Sequence, residues 1–148
     1  MLTRVTPDPL VTDEAIAAVG NPAAGAIGVF LGVVRDNNLG RRVSYLEYDA
    51  YPSMAEKVMA EIGSEAREKF ALEDFAILHR TGRLEIGEAS LLVAVSTGHR
   101  AESFDAGHWI VNEVKKRVPV WKKEVWEDGE EWIEGPESLG VQAPASMR

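Results

Sequence analysis

The stretch Lys115-Lys116-Arg117-Val118-Pro119-Val120-Trp121-Lys122-Lys123 holds five cations and no anion, in a chain whose formal net charge is -8. Clustered cations repel one another and destabilise a compact state, so this local reversal of sign points to an anionic partner. Residues 101–117 read as a helix that delivers Lys115 at its C-terminal end. Pro119 breaks that helix, and Val120 to Trp126 read as a strand that carries Lys122. Two lysines on either side of a helix-to-strand corner can converge on one spot. Lysines at a helix C-terminus also complement the macrodipole, which accounts for Lys116 and Arg117 as solvated charges. It accounts poorly for Lys115, which continues the stripe Phe104, His108, Val111 and is expected to point inward. A partly buried lysine among other cations should have a depressed pKa, which suits proton transfer or nucleophilic attack. Lys122 and Lys123 are strand neighbours and face opposite sides, so one of them joins Lys115, and Lys122 is the assignment. Glu124 shares the face of Lys122 and is placed to hold it, while the acidic residues from Glu127 to Glu137 offset the cations.

Three further segments could serve the same site. Phe30-Leu31-Gly32-Val33-Val34-Arg35 is a strand ending in an arginine, with a solvent-facing arginine as the alternative. Thr97-Gly98-His99-Arg100 is a strand end that runs into the N-terminus of helix 101–117, where cationic and amide donors favour an anion. A satisfied loop pair is the alternative there. His79-Arg80-Thr81-Gly82 copies the pattern, but Gly82 suggests a tight turn, so a structural role is assigned. His108, a lone histidine on an apolar helix face, reads as core or interface.

The elements that must position these groups follow from periodicity and punctuation. Leu2 to Val5 reads as a short strand, and Thr12 as the N-cap of a short helix ending near Gly20. Gly25 to Val34 reads as a buried strand, Asp36 to Gly40 as a loop, and Val43 to Tyr51 as a second strand. Ser53-Met54-Ala55-Glu56 matches a capping box opening a helix whose apolar stripe is Met54, Val58, Ile62, Ala66. Phe75 to Leu78 and Ser90 to Ser96 read as strands, and Asp128-Gly129 as a hairpin turn. The order predicts an α+β fold, a mainly antiparallel sheet with packed helices. Residues 1–135 form a single domain, and 136–148 a tail expected to be mobile unless a partner orders it.

Composition sets the bounds. The 148 residues, 45% hydrophobic and 27% charged, are ordinary for a soluble domain. No apolar run approaches the ~20 residues of a membrane span, and the N-terminus lacks a signal-peptide core. The absence of cysteine excludes thiolate catalysis and cysteine-ligated metals and fits a reducing cytoplasm. Three histidines without an HExxH pattern imply no metal, and no phosphate-cradling glycine loop appears, so no cofactor is expected.

Five motifs stand in one order: Gly32-Val33-Val34-Arg35-Asp36-Asn37-Asn38-Leu39-Gly40, Tyr51-Pro52-Ser53-Met54, His79 to Gly82, Gly98-His99-Arg100, and Lys115 to Glu124. Together they resemble the family of large, catalytic subunits of molybdopterin synthase, from roughly Gly25 to Glu134. The resemblance implies an α/β hammerhead-like fold and a homodimer within a heterotetramer. It also implies a small ubiquitin-like sulfur-carrier subunit whose C-terminal Gly-Gly thiocarboxylate enters a pocket of the large one. Sulfur would pass to cyclic pyranopterin monophosphate to build the dithiolene. By position, Lys115 and Lys122 match the essential lysines. Arg35, His99 and Arg100 match substrate-anion and pocket residues, and Phe30 lines the pocket. Lys116 is grouped with the substrate-binding cations, and Arg117 and Glu124 with the supporting residues. Family members often carry an arginine shortly after the Trp-hydrophobic-Glu strand, reaching across the dimer. Gly135-Pro136 follows Trp132-Ile133-Glu134 in this chain, so that contribution is unassigned.

Two other classes use the same residues. A non-catalytic dimeric module could bind the ubiquitin-like tail or a small anion, but it would need charge and not this spacing. A small RNA-binding domain would use the basic strip, against the acidic remainder and without stacking aromatics. A transferase accounts for more of the residues.

Overall fold

The computed structural model describes residues 1–137 and 139–141, and the order of elements is α+β as expected. The strands are β1 (Leu2–Thr6), β2 (Ala26–Val33), β3 (Asn37–Asn38), β4 (Arg41–Arg42), β5 (Tyr45–Ala50), β6 (Leu72–Arg80), β7 (Gly82–Leu84), β8 (Ala89–Thr97), β9 (Val120–Trp126) and β10 (Gly129–Glu134). The helices are α1 (Thr12–Val19), α2 (Pro52–Phe70) and α3 (Arg100–Arg117). One sheet has the order β1-β6-β8-β2 and a second the order β10-β9-β5-β7, with β3 and β4 a small hairpin. All pairings are antiparallel except β1 with β6.

Helices α2 and α3 cover one face of the first sheet. Their apolar residues Met59, Ile62 and Ile110 meet Phe75, Ile77, Val93 and Val95. Gly63 lets α2 approach closely, since a Cβ there would lie 2.0 Å from the Phe75 ring. That contact selects the buried face Ala55, Met59, Ile62, Gly63, Ala66. The expected stripe is right at Ile62 and Ala66 but off by one turn-position earlier, and Met54 is exposed. The capping box does not form either. Pro52 takes the first helical position, and the Glu56 carboxylate accepts from the Val5 N–H at 2.8 Å. A tertiary N–H donor outcompetes the local one for this carboxylate. At α1, Val11 occupies the cap and Thr12 is already helical.

Helix α3 buries Ser103, Ala106, Ile110, Val111 and Val114. The face expected from Phe104, His108 and Lys115 is therefore corrected: Phe104 is 75% exposed, and His108 and Lys115 are also exposed. The helix is rotated so that its small residues meet the sheet. Gly28 of β2 packs against Ser103, where no larger pair would fit.

Strand β2 is a second correction. It is an edge strand, not a buried one, and Ile27, Val29, Leu31 and Val33 stand exposed on it. Eight-residue α1 covers β6 and β8, where Ala15 and Val19 meet Leu78, Leu92 and Ala94, and leaves this row open.

The expected loop Asp36 to Gly40 closes as the β3–β4 hairpin through Leu39 (φ 51°) and Gly40 (φ 78°). Its Leu39 is 98% exposed. Of the expected tail, Pro136 is buried, the Glu137 N–H donates to the Lys116 carbonyl, and Trp121 Nε1 donates to the Gly140 carbonyl at 3.1 Å. Residues 138 and 142–148, to which the rest of that expectation applies, lie outside the described residues.

Candidate functional site: a cationic cavity between the two sheets

The cavity, about 220 Å³, opens where the two sheets and the C-terminal end of α3 meet. Lys115 enters from α3, Lys122 from β9, and Phe30 and Arg35 from β2 and the segment after it. The four residues lie in three separate stretches of sequence, and the antiparallel register joins them. Tyr48 of β5 stands opposite Lys122, and the β2–β8 ladder slips at Gly32/Val33 just before Arg35. Such a bulge bends a strand and re-aims the side chains beyond it. Ser90 Oγ donates to the Gly32 carbonyl at 3.3 Å and so helps to satisfy the backbone at the slip.

The two lysines differ in their surroundings. Lys122 Nζ lies 2.7 Å from Glu134 Oε2. Burial pulls the Lys122 ammonium down, but Tyr48, Glu134 and Glu124 together outweigh it and hold the pKa above the ordinary lysine value. Burial likewise pushes Glu134 up, while the bond to Lys122 and the charges of Lys122 and Lys115 hold it below the usual carboxylate range. Lys115 lines the same cavity yet is exposed, so the inward burial expected for it is corrected. Helix α3 turns its small and branched residues inward and leaves Lys115 at the mouth.

Glu124 is nearly sealed, 3% exposed, and accepts from Asn38 Nδ2 at 3.0 Å and Trp126 Nε1 at 2.5 Å. The ion pair expected between Glu124 and Lys122 is made by Glu134 instead, and Glu124 ties the β3–β4 hairpin to β9. Lys123 faces away, paired with Glu47 at 2.8 Å and Glu130 at 2.5 Å. Alternation along β9 thus separates the two adjacent lysines as expected.

Other assigned residues lie elsewhere. Lys116 pairs with Glu113 at 3.7 Å, and Arg117 bridges Glu65 at 2.6 Å and Glu113 at 3.4 Å; neither lines the cavity. His99 and Arg100 are exposed at the N-terminal end of α3. The cavity meets β8 at Ser90 and Leu91, so this pair sits at the opposite end of that strand, roughly 25 Å away. Within one chain they do not reach it.

Residue-by-residue reading missed Glu134, Tyr48, Asn38 and the wall position of His79. Glu134 was legible as one acid among several. Its bond to Lys122 depends on the β9–β10 register slip between Trp132 and Glu134, which no local signal announces. His79 is buried, bonded through Nδ1 to the Arg80 carbonyl at 2.8 Å, and burial pushes its pKa down to about 4.

Two sheets that enclose a cleft of converging lysines and an arginine define an α+β protein built to hold anionic groups in a partly desolvated space. Among the described residues, no cluster of metal-ligating side chains accompanies them. The chain belongs to the MoaE protein family, whose profile matches residues 5–117. It is 52% identical over 136 residues to the molybdopterin synthase catalytic subunit of Pyrococcus abyssi, covering 92% of each chain. It is 50% identical over 125 residues to that of Halalkalibacterium halodurans, covering 84% of this chain and 80% of the relative. The crystal structure of molybdopterin synthase from Staphylococcus aureus superimposes with a TM-score of 0.84 at 40% identity, covering 88% of this chain and 95% of that one.

Proposed function

We infer that this chain is the catalytic subunit of a molybdopterin synthase, a sulfurtransferase. The observation that carries the reading is the convergence of Lys115, Lys122 and Arg35 on one cavity in a chain of net charge -8. The thiocarboxylated Gly-Gly end of a small ubiquitin-like subunit enters the cavity, and cyclic pyranopterin monophosphate is the acceptor. Both reactants are anionic, so the cations offset their repulsion and stabilise oxyanions as they develop. Sulfur arrives on the partner, and the absence of cysteine is no obstacle.

The lysines divide the work. Lys122, held by Glu134 with its pKa raised, stays protonated and serves as a fixed donor to an anion. Lys115, at the mouth, is the group free to move a proton or meet the partner's acyl carbon. Arg35 binds the phosphate, and Phe30 forms an apolar wall.

A homodimer completes the site. The exposed apolar row Ile27, Val29, Leu31, Val33 on an edge strand supports it, because a strand edge of this kind seeks a partner. Ala26 pairs with Thr97 at one end of β2, and Val33 with Ala89 at the other. Two copies meeting antiparallel along β2 would carry His99 and Arg100 of one to the Phe30–Arg35 end of the other. With the small subunits added, the assembly is a heterotetramer. Among the described residues no helix is long and apolar enough to cross a membrane, and a cytoplasmic setting suits the chemistry.

A single-turnover assay with thiocarboxylated partner and cyclic pyranopterin monophosphate tests the reading, with dithiolene product detected by fluorescence after oxidation. Product is expected from the wild-type chain, with a loss of about 10²- to 10⁴-fold for Lys115→Ala and partner binding intact. Partner binding without product would favour the binding module.

A further inference from the structure

The cavity wall holds a polar group that the lysine chemistry leaves unused, His79 on β6, beside Tyr48 on β5. His79 is 6% exposed, and its ring stands edge-on to Tyr48 with centroids 4.8 Å apart. Nδ1 lies 2.8 Å from the Arg80 carbonyl oxygen. A carbonyl oxygen can only accept, so Nδ1 carries the hydrogen of the neutral ring and Nε2 is left as a bare acceptor. Burial keeps the ring neutral at physiological pH. Among the described residues, no donor reaches Nε2, and the sealed side-chain atoms lacking a partner are Ser96 Oγ and Glu102 Oε2. Nε2 therefore looks into the cavity and not into packed protein. The carboxylates on that wall are engaged: Glu134 with Lys122, and Glu124 with Asn38 and Trp126.

We propose that His79 is a specificity-determining residue whose Nε2 accepts a hydrogen bond from an uncharged N–H or O–H on the ring system of the substrate, with Tyr48 bracing the imidazole. The proposal rests on the function inferred above, in which that donor belongs to the pterin. Cations fix the anionic ends of a substrate but do not distinguish one ring from another. A rigid neutral acceptor does, because a ring without the matching donor leaves it desolvated and unpaired.

Asparagine and glutamine separate the two nitrogens. In His79→Asn the amide can keep the bond to the Arg80 carbonyl but offers nothing at the Nε2 position. In His79→Gln an oxygen can stand where Nε2 stood. His79→Asn should raise KM for cyclic pyranopterin monophosphate about 3- to 10-fold, with partner Kd and thermal midpoint near wild type. His79→Gln should recover most of the affinity. Equal KM in both variants and wild type overturns the proposal, as does an equal loss in both. Nitrogen NMR of the histidine-labelled wild-type chain decides the matter even if a variant fails to fold. The Nδ1–H tautomer is expected, with the Nε2 resonance moving upfield as substrate saturates. An Nε2–H tautomer, or a bare Nε2 that saturating substrate leaves unmoved, overturns it. Wild-type protein that binds no substrate would instead sink the function itself, and this inference with it.

Discussion

The two ends of helix α3 look alike in sequence and behave differently in space. Each is a junction between strand and helix marked by adjacent cations: His99-Arg100 at the start, Lys115 to Lys122 at the finish. The C-terminal corner meets β5 and β9 of the second sheet, gaining Tyr48 and Glu134 and a cavity in which charge is partly desolvated. The N-terminal junction meets solvent, beside the open apolar edge of β2. Basic residues become a site where other elements enclose them. One end of α3 is enclosed by its own chain, and the other lies open.

The sharpest break in that contrast would come from Lys122. Lys122→Ala removes the fixed donor and leaves Glu134 without its partner, so transfer should fall by about 10²-fold or more. Near-normal turnover would mean that enclosure by the second sheet is irrelevant to chemistry. A middle-sized effect belongs to the N-terminal junction. Arg100→Ala should raise KM for the pterin substrate about tenfold, as expected for loss of a charge-assisted contact. The decisive version mixes chains. If Arg100 acts across a two-fold dimer, co-folding Arg100→Ala with Lys115→Ala restores one intact site per mixed dimer and, at substrate well below KM, about a quarter of wild-type activity. No restoration would place Arg100 in its own chain's chemistry or in none. The smallest effect is predicted for Lys123, one residue from Lys122. Its pairs with Glu47 and Glu130 lie at the surface, so Lys123→Ala should cost under about 1 kcal/mol in urea unfolding and leave transfer unchanged.

The sequence by itself determined the order of the helices and the longer strands, the break at Pro119, the opposite facing of Lys122 and Lys123, and the convergence of Lys115 with Lys122. These rest on local physics: proline cannot continue a helix, and strand side chains alternate. The strand-end pattern singled out Arg35 and the family motifs added Phe30, and both line the cavity. Tertiary structure alone decided which face each helix buries, because close contacts such as Gly63 on Phe75 and Gly28 on Ser103 override the apolar stripe. It decided that β2 is an edge, because strand order is a property of the whole sheet. It chose Glu134 over Glu124 as the partner of Lys122 through a slip in the β9–β10 register, and it set His79 on the cavity wall opposite Tyr48. Each of these choices depends on which distant residue arrives alongside, and spacing along the chain does not carry that information.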